Sequence, residues 1–154
     1  GQNHESGYKS DHVICLVDSR ENMFETNEEG HTFFSLSLRT VVRLLKSKIV
    51  NPKDTVGVTL FGTTEKSSAD SPHDYVYEAV KLDVPGASAI RTAEGLAKLD
   101  AVQAATGDTP FGKSLPCDDT CPLKAALWTC AQNFVAKSDR DSRAAKRIWI
   151  FTND

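Results

Sequence analysis

Short apolar runs alternate with a helical apolar stripe in the first half of the chain. Residues 12–18 form a continuous apolar run that ends on an aspartate, which is typical of a strand buried on both faces. Apolar residues between 34 and 49 recur at the spacing of an amphipathic helix, and the pair Asn51-Pro52 predicts its end. Residues 55–61 form a second buried run. This order predicts a right-handed crossover between two parallel strands.

The second half of the chain carries weaker signals of the same kind. Residues 75–82 alternate between apolar and polar, which predicts a more exposed edge strand. Residues 89–102 predict a helix, and the Gly/Pro-rich stretch 106–116 predicts a loop. Helical spacing returns after Pro122, which suits a first helical turn. The apolar residues of that helix are Leu123, Leu127, Cys130 and Phe134. The final run, 146–152, predicts another strand buried on both faces.

These elements predict one α/β domain over residues 1–154, with a polar amino-terminal tail at 1–10. The expected architecture is three-layer and Rossmann-like, with a mainly parallel sheet flanked by helices. A strand as apolar as 148–151 is a poor sheet edge, because an open edge invites pairing with other chains. We therefore expect the fold to be truncated after its fourth strand. The functional crevice of such sheets lies at the carboxyl ends of the strands, which here are followed by residues 18–22, 62–64 and 152–154.

Composition narrows the function classes. The chain has 18 Lys+Arg against 21 Asp+Glu, a net charge of −3 and 40 % hydrophobic residues, which excludes fibrous and disordered classes. It has no apolar run near the roughly 20 residues that cross a bilayer and no signal-like start, so we expect no membrane association. Acidity predicts that any DNA contact comes from a local basic patch or from a partner. The candidate DNA contacts are Lys46, Lys48, Arg140 and Arg143.

The cysteines and tryptophans offer little chemistry. Cys117 and Cys121 have the spacing of two zinc ligands, but no second pair follows, so we interpret them as loop cysteines. A hydrolase is not supported, because no Gly-x-Ser-x-Gly sequence is present. Trp128 and Trp149 fall in a predicted helix and strand, which predicts core positions rather than platforms for nucleic-acid bases. Two further cysteines are predicted in the core, namely Cys15 and Cys130.

Five segments of the chain fall in the order and spacing of one known family. They are residues 13–18 with 23–25, then 58–65, 82–87, 127–134 and 146–153. From about Gly7 onward, the chain resembles the amino-terminal von Willebrand A-like domain of the smaller, seventy-kilodalton subunit of the Ku heterodimer.

The resemblance implies a peripheral scaffold and interaction domain of a heterodimer that binds double-stranded DNA ends. The implied partners are the larger Ku subunit, DNA ends bound through the full heterodimer, and end-joining repair proteins. The implied process is double-strand break repair by non-homologous end joining in the nucleus, with DNA recombination and telomere maintenance. Subunits of this family have also been described as ATP-dependent helicase components, but the chain has no Gly-x-x-x-x-Gly-Lys-Ser/Thr sequence. We expect no cofactor.

The loop after the first strand bears on a metal site. A domains that bind Mg²⁺ use an Asp-x-Ser-x-Ser sequence there, which supplies hard oxygen ligands. In this chain Arg20 and Asn22 stand at the two serine positions, and Ser19 is one residue out of register. We therefore expect no metal site and a loop-structuring role for Asp18. The altered motif also disfavours another hypothesis, that the chain is an A domain that binds protein ligands through Mg²⁺.

The resemblance also points to Lys9 as an alternative, catalytic feature. Lys9 lies near the position of a family lysine implicated in removing 5′-deoxyribose phosphate and abasic residues at DNA ends. A neutral amine would attack the sugar aldehyde and form a Schiff base, which permits β-elimination of the phosphate. The sequence next to Lys9 holds no group that would lower its pKa, because Tyr8 and Ser10 are uncharged and Asp11 has the opposite effect. A solvated lysine near the terminus is the simpler interpretation.

Overall fold

The computed structural model describes residues 10–63, 65–99, 122–137 and 144–153. These ranges contain four strands, three α-helices and a short 3-10 helix at Glu21–Phe24. The strands and α-helices, in chain order, are β1 (Asp11–Asp18), α1 (Phe33–Lys48), β2 (Thr55–Phe61), β3 (Val76–Asp83), α2 (Ala87–Ala97), α3 (Leu123–Lys137) and β4 (Ala145–Phe151). None of the described helices is long and apolar enough to cross a membrane.

The four strands form one mainly parallel sheet in the order β3-β2-β1-β4. β1 pairs in parallel with both β2 and β4, whereas β3 pairs with β2 in the antiparallel direction. The predicted strand–helix–strand crossover is confirmed, since α1 connects the parallel strands β1 and β2. The predicted edge strand at 75–82 is also confirmed as β3, which lies at one end of the sheet.

Two cores lie on opposite faces of the sheet. Side chains of a strand point alternately to its two faces, and β1 shows this directly. Val13, Cys15 and Val17 belong to the core beneath α1 and α2, whereas Ile14 and Leu16 belong to the core beneath α3. All of these residues are at most 1 % exposed. The predicted three-layer architecture is therefore confirmed, and so is the prediction that β1 is buried on both faces.

Helix α3 buries most of the predicted face, and Leu123 packs against the core, but Leu127 departs from the prediction. The buried residues are Ala126, Cys130 and Phe134, whereas Leu127 is 37 % exposed and Trp128 is 59 % exposed. Apolar residues occur on every side of this helix, so helical spacing alone does not select the buried face. The prediction that Leu127 and Trp128 lie in the core is wrong. Burial of Cys130 is confirmed, as it is for Cys15.

Strand β4 is not buried on both faces, contrary to the prediction. Trp149 is 40 % exposed and Ile150 is 46 % exposed. Among the described residues, β4 lies at the end of the sheet and pairs with β1 alone. Its residues Ile148 and Phe151 pack partly against the two cores. Edge position explains the difference, because an apolar sequence is buried only where other elements cover it.

A hydrogen bond joins the start of helix α1 to the end of helix α2. Thr32 caps the start of α1, where its hydroxyl accepts a hydrogen bond from the Ser35 backbone N–H at 3.0 Å. The Ser35 hydroxyl donates to the carbonyl oxygen of Ala97, the last residue of α2, at 2.6 Å. These bonds fix the carboxyl end of α2 beside the first turn of α1.

Candidate functional site

The carboxyl ends of β1, β2 and β4 meet at one edge of the sheet, as the parallel topology predicts. We call this place the carboxyl-edge crevice; its described residues are 18–22, 62–63 and 152–153. The Thr152 hydroxyl donates to Asp18 Oδ2 at 2.9 Å across 134 residues of sequence. The Asn153 side chain donates to the carbonyl oxygen of Asn22 at 3.1 Å. Thr64 and Asp154 lie outside the described residues.

Asp18 is the centre of this crevice and is fully buried. Its Oδ1 accepts hydrogen bonds from the backbone N–H and from Nε of Arg20, both at 3.0 Å. Its Oδ2 accepts from Nη2 of Arg20 at 2.9 Å, in addition to Thr152. Two parallel bonds between a guanidinium and a carboxylate form a strong and directional ion pair. The buried charge of Asp18 is therefore neutralised by a residue from its own loop.

The Arg20 side chain fits against Gly62 at the end of β2. A Cβ atom at residue 62 would lie 2.4 Å from Cγ of Arg20, which is too close for two carbon atoms. The backbone of Gly62 also has a φ of +78°, a conformation that glycine adopts without strain. The guanidinium carbon lies 5.8 Å from the centre of the Phe61 ring, within the range of a cation–π contact. Gly62 and the Phe61 ring therefore leave a space that the Arg20 side chain fills.

The geometry does not fit a divalent cation at Asp18. Both carboxylate oxygens already bind the Arg20 guanidinium, which would have to leave before a metal could enter. The Ser19 hydroxyl donates back to the Val17 carbonyl oxygen at 3.3 Å and so does not compensate for the missing serines. Within the part of the chain that the structure describes, no group of three or more His, Cys, Asp or Glu side chains could hold a metal ion.

The two described candidate DNA contacts, Lys46 and Lys48, differ in exposure and in the carboxylates near them. Lys46 is exposed on α1, with its Nζ 3.6 Å from Glu94. Lys48 is part-buried, and its Nζ lies 2.8 Å from Asp11 Oδ2 and 3.3 Å from Asp54 Oδ2. Two carboxylates therefore offset the charge of Lys48, so that it offers less attraction to a phosphate than Lys46 does. Five other residues that the sequence offered as candidates for chemistry or DNA contact lie outside the described ranges: Lys9, Cys117, Cys121, Arg140 and Arg143.

The pKa of Lys48 is raised above its ordinary value. The main cause is the hydrogen bond with Asp11, and Asp54 contributes through a further hydrogen bond and through its charge. Partial burial acts in the opposite direction but is the weaker effect overall. Sequence reasoning missed this cluster. Its signal is positional, because Asp11 begins β1 and Asp54 directly precedes β2, so that two neighbouring parallel strands start side by side.

The comparisons with known sequences agree with one another. The model of the Ku70/Ku80 N-terminal alpha/beta domain family matches residues 12–154. A protein of Dictyostelium discoideum named "ATP-dependent DNA helicase ku70" is 27 % identical over 158 residues, which cover 94 % of this chain and 16 % of that protein. "ATP-dependent DNA helicase 2 subunit 1" of Rhipicephalus appendiculatus is 29 % identical over 148 residues, covering 96 % of this chain and 22 % of that protein.

Solved structures of bacterial adhesins share the fold. The adhesive tip pilin of Streptococcus agalactiae matches with a TM-score of 0.52 and 15 % identity over 93 % of this chain and 44 % of that one. The pilus adhesin of Streptococcus pneumoniae matches with a TM-score of 0.52 and 12 % identity over 96 % of this chain and 20 % of that one. At this identity the likeness concerns the fold alone.

Proposed function

Because this chain belongs to the family of Ku70/Ku80 N-terminal alpha/beta domains, we propose that it is a peripheral scaffold and interaction domain of a Ku subunit. The proposed setting is double-strand break repair by non-homologous end joining in the nucleus. The chain spans 16 % and 22 % of the length of the two curated relatives described above. Because this chain matches only a small part of each relative, we propose that it acts as one domain of a larger protein.

One observation carries the scaffold role, namely the ion pair between Arg20 and Asp18. In an A domain that binds ligands through Mg²⁺, the aspartate of this loop must be free to coordinate the ion. Here the guanidinium takes both carboxylate oxygens. This supports an interaction domain whose contacts lie on its outer surfaces, and it argues against a metal-dependent adhesion function at this crevice.

The charge of the chain supports the peripheral placement. A net charge of −3 provides no general attraction for duplex DNA. The candidate DNA contacts remain proposals, and Lys46 is the better placed of the two described ones because Lys48 is held by Asp11 and Asp54. We propose that the larger Ku subunit is the direct partner, that DNA ends are bound through the full heterodimer, and that end-joining proteins dock on the outer face.

Two measurements test the proposal. The chain, purified alone, should bind a blunt DNA duplex no more tightly than non-specific binders do, with a Kd of about 10⁻⁶ M or weaker at physiological salt. Sub-micromolar binding by the isolated chain would overturn the peripheral role. Co-expression with the larger Ku subunit should yield a complex that contains this chain, as size-exclusion chromatography would show. Failure to form any complex would contradict the scaffold role, provided that circular dichroism shows the chain to be folded.

A further inference from the structure

Helices α1 and α2 enclose a groove of about 660 Å³ on the surface opposite α3. We call it the basic groove. Three exposed cations of α1 line it at positions i, i+4 and i+7, so they lie on one face of the helix. Lys98, at the end of α2, adds a fourth exposed cation from the other side. The three cations of α1 are Arg39, Arg43 and Lys46.

The charge of the basic groove is largely uncompensated. Among the described residues, Glu94 is the one carboxylate that lines it. Its Oε1 lies 3.6 Å from Nζ of Lys46, and the two side chains are 44 % and 60 % exposed, so solvent screens this pair. No described carboxylate lies within ion-pair distance of Arg39 or Arg43. The groove is thus a positive region on a chain of net negative charge.

The inner surface of the basic groove combines apolar and polar groups. Val42 of α1, Ala97 of α2 and Leu99 line it between the cations, and all three are partly exposed. The Ser35 hydroxyl also reaches the groove, but it already donates to the Ala97 carbonyl oxygen. An apolar strip bordered by guanidinium and ammonium groups is complementary to a chain segment that carries both apolar and acidic side chains.

We propose that the basic groove docks an acidic, amphipathic peptide segment of a protein partner. Carboxylates of the segment pair with Arg39 and Arg43, whose planar guanidinium groups bind carboxylates with two bonds. Apolar side chains of the segment cover Val42 and Leu99. The inference concerns a site separate from the carboxyl-edge crevice, and it does not require the DNA-repair role.

The geometry favours a peptide over a DNA backbone as the occupant. Axes of packed helices are about 8–10 Å apart, so a groove between them admits a single chain segment but not a duplex. Phosphates could touch the cationic border, yet they would leave the apolar strip exposed to water. The net negative charge of the chain also opposes a long polyanion more than a short peptide.

The test uses fluorescence anisotropy with a labelled probe peptide. The peptide has Leu at the spacing of one helix face and Asp or Glu at the positions between. Two comparison peptides replace either every acidic residue by Lys or every Leu by Ser, and a labelled blunt DNA duplex is the fourth probe. The purified protein should bind the acidic amphipathic peptide, and the Lys peptide should not bind. The Ser peptide should bind about tenfold more weakly, because the apolar contacts are lost.

The variants locate the site. Arg39→Glu combined with Arg43→Glu should weaken probe binding by about tenfold or more. The matched control is Lys81→Glu combined with Lys124→Glu, which changes the charge equally at exposed residues that do not line the groove. It should change binding by less than about twofold. Arg39→Gln combined with Arg43→Gln gives a milder variant, and circular dichroism checks that each variant is folded.

Four outcomes would overturn the proposal. Equal binding of the Ser peptide would mean that the apolar strip takes no part. Equal loss in the matched control would mean that binding follows net charge alone. Tighter binding of the duplex than of the peptide, lost in the Arg39 and Arg43 variants, would make the groove a phosphate-binding surface. Absence of binding by every probe to the folded protein would remove the site altogether.

Discussion

Gly62 has no side chain because Arg20 occupies the space that a side chain would need. An added Cβ at residue 62 would lie 2.4 Å from Cγ of Arg20 and 3.3 Å from its backbone nitrogen. The loop after β2 is therefore shaped around the residue that neutralises the aspartate at the end of β1. A substitution at Gly62 should therefore disturb the ion pair between Arg20 and Asp18 without changing either residue of the pair.

The first prediction is that Gly62→Ala destabilises the protein more than Gly30→Ala does. Both glycines have positive φ values, +78° and +83°, but an added Cβ at Gly30 meets nothing within 4 Å. Gly30→Ala should lower the free energy of unfolding by about 1–2 kcal/mol through backbone strain alone. Gly62→Ala should lower it by about 2–4 kcal/mol, because Arg20 must also move. Urea unfolding followed by circular dichroism measures both.

A double variant provides the control for this comparison. In an Arg20→Ala background, the effect of Gly62→Ala should fall towards that of Gly30→Ala, since the clash with Cγ of Arg20 has been removed. An effect that stays unchanged would show that Arg20 is not what shapes the loop.

The second prediction is that Arg20 takes the place of a metal ion. Arg20→Ser leaves the buried Asp18 carboxylate without its ion pair and should cost about 3–5 kcal/mol of unfolding free energy. The wild-type melting temperature should not respond to millimolar Mg²⁺ or to a chelator. Arg20→Ser combined with Asn22→Ser should gain a Mg²⁺-dependent rise in melting temperature, because two hydroxyls then join the carboxylate.

Calorimetric titration with Mg²⁺ and Mn²⁺ checks the wild-type protein directly. Saturable heat that disappears in Asp18→Ala would contradict the prediction, because the loop would then bind a metal despite Arg20.

The third prediction concerns alkaline pH. Because the folded-state pKa of Lys48 is raised above its ordinary value of 10.5, its ion pairs stabilise the fold fully below that value. This stability is lost as pH rises through the raised folded-state pKa. Lys48→Met should cost about 1–3 kcal/mol at neutral pH, and the difference from the wild type should shrink above pH 10.5. Urea unfolding across an alkaline pH series measures this difference.

Lys46→Met is the matched control for Lys48. Its Nζ is 3.6 Å from Glu94 and its side chain is 60 % exposed, so its loss should cost less than about 0.5 kcal/mol. Equal effects of the two variants at every pH would show that the position between Asp11 and Asp54 is of no consequence.

The fourth prediction is that Cys15 and Cys130 do not react in the folded protein. Burial is the main cause that raises the pKa of each thiol to about 12, and the thiolate is the reactive form. Iodoacetamide at neutral pH should leave both unmodified until denaturant is added, as peptide mass spectrometry would show. A cysteine introduced on the exposed side of α1 by Thr40→Cys should react quickly under the same conditions. Rapid labelling of Cys15 without denaturant would contradict its burial.

The fifth prediction follows from the alternative lyase function. If Lys9 forms a Schiff base with an abasic sugar, borohydride should trap a covalent adduct between the Ku heterodimer and an abasic-end duplex. Lys9→Ala should then diminish the adduct, whereas Lys81→Ala, at an exposed lysine outside the candidate DNA contacts, should leave it unchanged. An undiminished adduct in Lys9→Ala would assign the amine to another residue and leave this domain as a scaffold.

The sequence predicted best those strands and helices whose apolar runs have clear ends. β2 was predicted with its observed bounds, and β1 and α1 within one residue, because their apolar runs end at clear polar or proline signals. Helix α3 was predicted in place, and Cys130 and Phe134 are buried as predicted, but Leu127 and Trp128 are exposed, because apolar residues occur on every side of this helix. The burial of β4 was misjudged because its sequence does not say which elements cover it. The antiparallel direction of β3 also has no signature in its alternating pattern.

The meeting of loops at the carboxyl-edge crevice could be predicted from the sequence, but the contacts of Arg20 could not. Parallel topology brings Asp18 and Thr152 to one edge, and this follows from the order of elements. The sequence also showed that Arg20 replaces a serine. It could not show that the guanidinium turns back onto Asp18 with two bonds, because that geometry depends on the space left by Gly62. Such a contact depends on Arg20 and Gly62, which lie 42 residues apart in sequence, so no local pattern predicts it.

The order in which the strands are synthesised gives the Arg20 contact a further consequence. The ribosome makes β1 early, but Thr152 follows Asp18 by 134 residues, which takes roughly 7–27 s at usual elongation rates. During this interval the nascent strand lacks β4 and has one open edge. Arg20 follows Asp18 by two residues, and Gly62, which leaves room for the guanidinium, is made 90 residues before Thr152, so the carboxylate can meet its counter-ion well before β4 exists. A nascent chain can therefore bury β1 against α1 without holding an unneutralised charge before β4 is made.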